Sequence, residues 1–187
     1  MSGWTSARRF VRRRDSSEPI DPNRREVLWA PWRLAYIAGN KDEPQPEGCF
    51  LCRYAATPEQ DSANLVVARG NGVLTVLNRF PYTNGHLLVA PLAHKASLTD
   101  LDDGELLACQ HALRRMLEVI GRTMSAEGFN VGLNLGKVAG AGVPGHLHWH
   151  IVPRWSGDVN FMPTLAGIRV IPQSLEALYE ILTEALA

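Results

Sequence analysis

Short runs of apolar residues, cut by turn residues, fill the middle of the chain and predict strands. Leu65-Val66-Val67-Ala68 stops at Gly70-Asn71-Gly72, a tight hairpin signal. Val73-Leu74-Thr75-Val76-Leu77 follows. Pro81-Tyr82-Thr83-Asn84-Gly85 reads as a second turn, and His86-Leu87-Leu88-Val89-Ala90 as a third strand. Short strands joined by short turns predict an antiparallel meander. The period then changes. Leu106, Cys109, Leu113, Leu117, Ile120 and Met124 recur at helical spacing and predict one long helix. Thr99, with Asp102 three residues on, is the expected cap, and Gly128 the expected stop. Cys109 falls inside the apolar stripe and is expected as core filler. Residues 129–135 predict a fourth strand and residues 146–152 a fifth. Between them lie glycines 136, 140, 142 and 145, a loop whose backbone can approach a ligand closely. Ser174, followed by Leu175, Leu178, Tyr179 and Leu182, predicts a last helix. Five strands and two helices, with the strands mostly grouped, read as α+β.

Composition narrows the class. The chain has 187 residues, 45% of them hydrophobic, which suits one domain with a real core and excludes a disordered or collagen-like chain. No apolar run reaches the ~18–20 residues of a membrane span, and the first residues lack a secretory h-region. Three cysteines do not suggest a secreted disulfide framework. They point to a reducing, cytoplasmic setting. Lys plus Arg and Asp plus Glu balance at 19 each, so nucleic acid is not an expected partner of the whole molecule. Seven arginines nevertheless lie within the first 25 residues. Residues 1–27 read as a solvated, poorly ordered basic tail, with a phosphate-polymer contact as the alternative. Residues 28–187 read as a single domain. Its start, Leu28-Trp29-Ala30-Pro31-Trp32-Arg33-Leu34-Ala35-Tyr36-Ile37, is rich in large aromatics that should pack across the domain or a subunit boundary. Residues 39–48 read as a polar loop.

Three of the six histidines fall within five residues. On a strand, alternate residues share a face, so His146, His148 and His150 should line a cleft while Leu147, Trp149 and Ile151 face a core. Three chemistries fit such a row. It can bind a metal through three imidazoles, hold a phosphate with protonated rings, or use one imidazole as a nucleophile on phosphorus. Three merely structural histidines are disfavoured, because crowded imidazoles repel when charged. The glycine loop just upstream, rich in N–H donors, favours an anion.

His146-Leu147-His148-Trp149-His150-Ile151-Val152 resembles the signature of the histidine-triad (HIT) superfamily. Leu77-Asn78-Arg79-Phe80-Pro81-Tyr82-Thr83-Asn84-Gly85-His86-Leu87-Leu88-Val89 and Asn134-Leu135-Gly136 match further motifs in order. The resemblance implies a five-stranded antiparallel sheet with two helices, continued across a homodimer. It implies that His148 attacks the α-phosphorus of a nucleotide to form a covalent nucleotidyl-histidine, with His150 on the phosphate or leaving group. Asn78 matches a ribose ligand and Asn134 an amide near the phosphate. Phe50, Leu51, Val76, His86, Gly136, Lys137, Gly142 and Val143 are further expected nucleotide-binding positions. The loop 142–145 departs from many relatives in carrying no hydroxyl, leaving backbone N–H groups, Lys137 or water to serve there.

Cys49 and Cys52 have zinc-knuckle spacing but form only one pair. No βαβ context follows to suggest a redox motif. Some HIT branches complete the site with a Pro-x-x-His histidine and the first triad histidine. Pro91-Leu92-Ala93-His94 and His146 match, so the resemblance implies a structural zinc on Cys49, Cys52, His94 and His146. Buried thiols without metal are the alternative. The aromatic segment, the CxxC and Pro153-Arg154-Trp155 with Asp158, Asn160 and Phe161 look most like the bacterial diadenosine tetraphosphate phosphorylase (ATP adenylyltransferase) group. That group passes AMP to inorganic phosphate, for which Lys137 and Arg154 are candidate ligands. A hydrolase of dinucleoside polyphosphates or AMP-phosphoramidates, with water as acceptor, is the first alternative. A non-catalytic nucleotide-binding or RNA-associated module is the second.

Overall fold

A computed structural model describes residues 48–158 and 173–187. The basic tail, the aromatic segment 28–37, nearly all of the loop 39–48, and Asn160 and Phe161 lie outside the described residues. The described elements run in the order α1 (Phe50–Ala56), α2 (Asp61–Asn64), β1 (Val66–Gly70), β2 (Val73–Leu77), β3 (Leu87–Pro91), α3 (Asp103–Met124), β4 (Gly128–Leu133), β5 (Trp149–Arg154) and α4 (Leu175–Leu186). The strands form one antiparallel sheet ordered β1-β2-β3-β5-β4. The α+β expectation and its five strands hold. Two short helices, α1 and α2, join the two expected long ones.

The sheet is buried on both faces at its centre, which is why β2 and β3 read as unbroken apolar runs. Val67, Val73, Leu77 and Val89 face α3 and α4 in the main core, together with Leu147, Trp149 and Ile151. Val66, Leu74, Val76 and Ala90 face the other way and pack with Leu51 and Tyr54 of α1. The histidine row therefore lies on the α1 side. Asn71 and Gly72 both take positive φ, the turn geometry that joins twisted strands. Gly85, at φ +77°, is required by packing as well, since a Cβ there would lie 2.8 Å from Met124 Sδ.

Several boundaries differ from the sequence reading. Thr99 is not the helix cap. It sits in a 3₁₀ turn with its own capping box, Ser97 with Asp100, and α3 starts one motif later on Asp102 with Glu105. Gly128 does not stop the helix: Ser125 does, in a left-handed conformation, and Gly128 opens β4. The buried stripe of α3 runs through Cys109, Leu113, Met116, Val119 and Ile120, while Leu106 is exposed. Leu65 caps α2 with positive φ instead of starting β1. The last helix begins where expected, on Ser174, whose hydroxyl accepts the Ala177 N–H at 3.2 Å.

Candidate active site and metal centre

The three histidines occupy one face, but two different devices hold them. His150 lies in the β5 ladder opposite Leu88, while His146 and His148 precede the strand. The segment 146–148 is pinned by residues 91–95 instead. The Leu147 N–H donates to the Lys95 carbonyl at 2.6 Å, and His146 Nε2–H donates to the Pro91 carbonyl at 2.8 Å. The alternation survives, because Leu147, Trp149 and Ile151 all enter the main core.

His148 is almost fully buried. Its Nδ1–H donates to the His146 carbonyl at 2.8 Å, which leaves the lone pair on Nε2. Burial pushes this imidazole below its ordinary pKa, only partly offset by that carbonyl. A neutral ring with a free Nε2 is what a nitrogen nucleophile needs.

The His148 and His150 ring centres are 5.1 Å apart. Burial, with His148 beside it, pushes the His150 pKa down to about 4. A neutral imidazole donates from one nitrogen only, and a chain of bonds selects which. The Tyr82 N–H at 3.1 Å and the Asn78 side-chain NH₂ at 3.2 Å both donate to His86 Nδ1. His86 therefore carries its proton on Nε2 and donates to His150 Nδ1 at 2.9 Å. His150 in turn keeps its proton on Nε2, 3.4 Å from the Asn134 side-chain nitrogen, so the two bond only when that amide is turned to present its oxygen. The relay presents His150 as a preset donor next to His148. It also makes fully buried His86 an orienting residue. Tyr82, which sequence reading did not single out, lies nearly parallel to the His150 ring, centroids 5.8 Å apart. A loop aromatic four residues before a histidine has no period to announce it.

At the other end of the row, one donor atom each from Cys49, Cys52, His94 and His146 lies within 4.8 Å of the others. Cys49 Sγ is 3.3 Å and Cys52 Sγ 3.4 Å from His146 Nδ1, and Cys52 Sγ is 3.2 Å from His94 Nδ1. A tetrahedral site with ordinary zinc–sulfur and zinc–nitrogen bonds has S···N edges of about 3.5 Å. The Pro91 bond holds the His146 proton on Nε2, so Nδ1 is free to ligate. Burial, then Cys49, raises the Cys52 thiol, so a metal must displace its proton. These four residues can hold a metal ion.

The remaining expected positions divide. Phe50, Gly142 and Val143 line a groove of about 360 Å³ with Arg53, His94 and Pro144. Leu51 and Val76, each 1% exposed, lie within the smaller core, against which Phe50 packs. Gly136 and Lys137 are exposed on the glycine loop. Arg154 is already engaged by Asp158 and by Asn130 at 2.9 Å, four residues along from His150. That places it roughly 13 Å down the strand.

A family model of the HIT domain matches residues 59–157, just over half of the chain. This chain belongs to the HIT family. It is 42% identical over 151 residues to the AP-4-A phosphorylase of Mycobacterium tuberculosis (strain ATCC 25618 / H37Rv), covering 79% of this chain and 77% of that one. Over 82 residues, 44% of each chain, it is 38% identical to the bis(5'-nucleosyl)-tetraphosphatase [asymmetrical] of Schizosaccharomyces pombe. The crystal structure of a Zn-bound histidine triad family protein from Mycobacterium smegmatis superposes with a TM-score of 0.61 at 28% identity, covering 74% of this chain and 93% of that one. As a HIT protein it carries its row of three histidines on β5 and the segment before it, with α1 on the same side. Among the described residues, no helix is long and apolar enough to cross a membrane.

Proposed function

We propose that this HIT enzyme transfers AMP from diadenosine tetraphosphate to inorganic phosphate, giving ADP and ATP. The observation that carries the reading is His148 itself: neutral, with Nδ1 tied to the His146 carbonyl and Nε2 free beside a preset donor. In the first step the Nε2 lone pair attacks the α-phosphorus, a P–N bond forms, and the bond to the departing ATP oxygen breaks. His150 Nε2–H donates to the phosphate or to that departing oxygen. In the second step a phosphate oxygen attacks the same phosphorus. The P–N bond breaks, ADP leaves and His148 is restored. Asn78 takes the ribose. Phe50, with Leu51 and Val76 behind it, takes the base. Asn134 and the loop residues Gly136, Lys137, Gly142 and Val143 take phosphate oxygens.

Zinc on Cys49, Cys52, His94 and His146 would supply a rigid four-coordinate anchor with no open position, and so no chemistry on the substrate. It would fix the segment that carries His148. The edge strand β4, with Val131 exposed, is the surface on which the sheet continues into a homodimer. The same reading takes residues 28–187 as one domain in a cytoplasmic setting.

The yeast tetraphosphatase relative favours a second reading in which water is the acceptor and the products are AMP and ATP. Chromatography of products from diadenosine tetraphosphate against phosphate concentration separates the two. ADP rising with phosphate is expected. AMP plus ATP, independent of phosphate, would move the protein to the hydrolytic reading.

A further inference from the structure

The loop between β2 and β3 carries two exposed aromatic rings, one of them against the histidine row. Phe80 is 59% exposed and Tyr82 39% exposed. Both are held through their own backbone. The Phe80 N–H donates to Asn78 Oδ1 at 2.9 Å, and the Tyr82 N–H to His86 Nδ1 at 3.1 Å. The Tyr82 ring is inclined by only 14° to the His150 ring and has its centroid 4.5 Å from that of His86. Large rings at a surface are usually turned inward to bury their area. Here the neighbouring bonds fix one beside the donor imidazole with much of its area in solvent.

We propose that Tyr82 is a stacking surface for the nucleobase of the departing nucleotide, so that a dinucleoside polyphosphate is recognised at both ends. The proposal rests on the reading above, in which His148 takes AMP and His150 faces the leaving side. The ring layered on His150 is then the first surface that the leaving half meets. A base is flat and apolar on both faces and stacks on tyrosine whatever its edge pattern. Because the backbone already holds the ring, little ordering cost offsets the contact.

Diadenosine tetraphosphate and adenosine 5'-tetraphosphate differ in the second adenosine but share the transferred AMP and the chain of phosphates. The test is the ratio of their kcat/KM values in wild type, Tyr82→Ala and Tyr82→Phe. Stacking of one base predicts that Tyr82→Ala lowers the preference for the two-base substrate by about five-fold to a hundred-fold. Tyr82→Phe should keep most of it. An unaltered ratio in Tyr82→Ala overturns the proposal. So does an equal loss on both substrates, which would mark Tyr82 as merely structural. Wild-type enzyme that turns over neither substrate removes the transfer reading itself and this proposal with it.

Discussion

The two ends of the histidine row do the same geometric job by different means. At the His150 end, the sheet sets the register and a relay through His86 sets the proton. At the His146 end there is no ladder. Two carbonyls of the 91–95 segment and that of Val143 hold the chain, together with the cluster of two thiols and two imidazoles. His148 sits between them. The contrast teaches that the placing of His148 depends on folding at one end and on the Cys/His cluster at the other. The two ends should therefore fail differently.

The largest effect is expected from the cluster. With zinc held there, metal affinity would be folding free energy, so a chelator, or Cys52→Ser, should lower the melting temperature by on the order of 10 °C. Metal analysis alongside calorimetry checks it. Zinc content near zero in protein prepared without chelator, with no shift on zinc loading, would break the comparison at this end.

The His150 end should respond to pH instead. An imidazole held at about 4 in the fold, against 6.5 as its ordinary value, binds fewer protons folded than unfolded between those limits. Its contribution is fully present above about 6.5 and is lost as pH falls toward 4. The groups facing it are His86, His148 and Tyr82. Unfolding free energies in wild type and His150→Asn across that window should differ in slope, by up to about 3 kcal/mol over the range. Parallel curves would mean that His150 is not held neutral.

The smallest effect concerns the support behind the His146 end. Lys95, whose carbonyl holds Leu147, also reaches Glu105 at 2.5 Å, and Glu105 closes the capping box with Asp102. Asp102→Ala should cost a few degrees of melting temperature, about 2–4 °C, with zinc content preserved. Loss of the metal as well would show the clamps to be one unit.

What was legible in the sequence follows the same division. Leu147, Trp149 and Ile151 announce their core face because strand periodicity is local. The four residues of the cluster, 97 residues apart at the extremes, become legible only through a resemblance, since no periodicity links Cys49 to His146. The start of α3 was misplaced because two capping boxes stand in tandem, Ser97 with Asp100 and Asp102 with Glu105, and the bond from Lys95 to Glu105 ties the second into the fold. The helix α1 is too short to show a period and has no side-chain cap at Cys49. The relay through Tyr82, His86 and His150 depends on which nitrogen meets which donor, and sequence carries no trace of that.

The central claim is that His148 Nε2 forms a bond to phosphorus. Quenching the enzyme in alkali during turnover of diadenosine tetraphosphate without phosphate, followed by digestion and mass spectrometry, tests it directly. The account predicts one adenylyl group on the peptide containing His148, absent in His148→Ala, whose turnover should fall by several orders of magnitude. An adenylyl group on another residue, or His148→Ala retaining more than about a tenth of wild-type turnover, would contradict it.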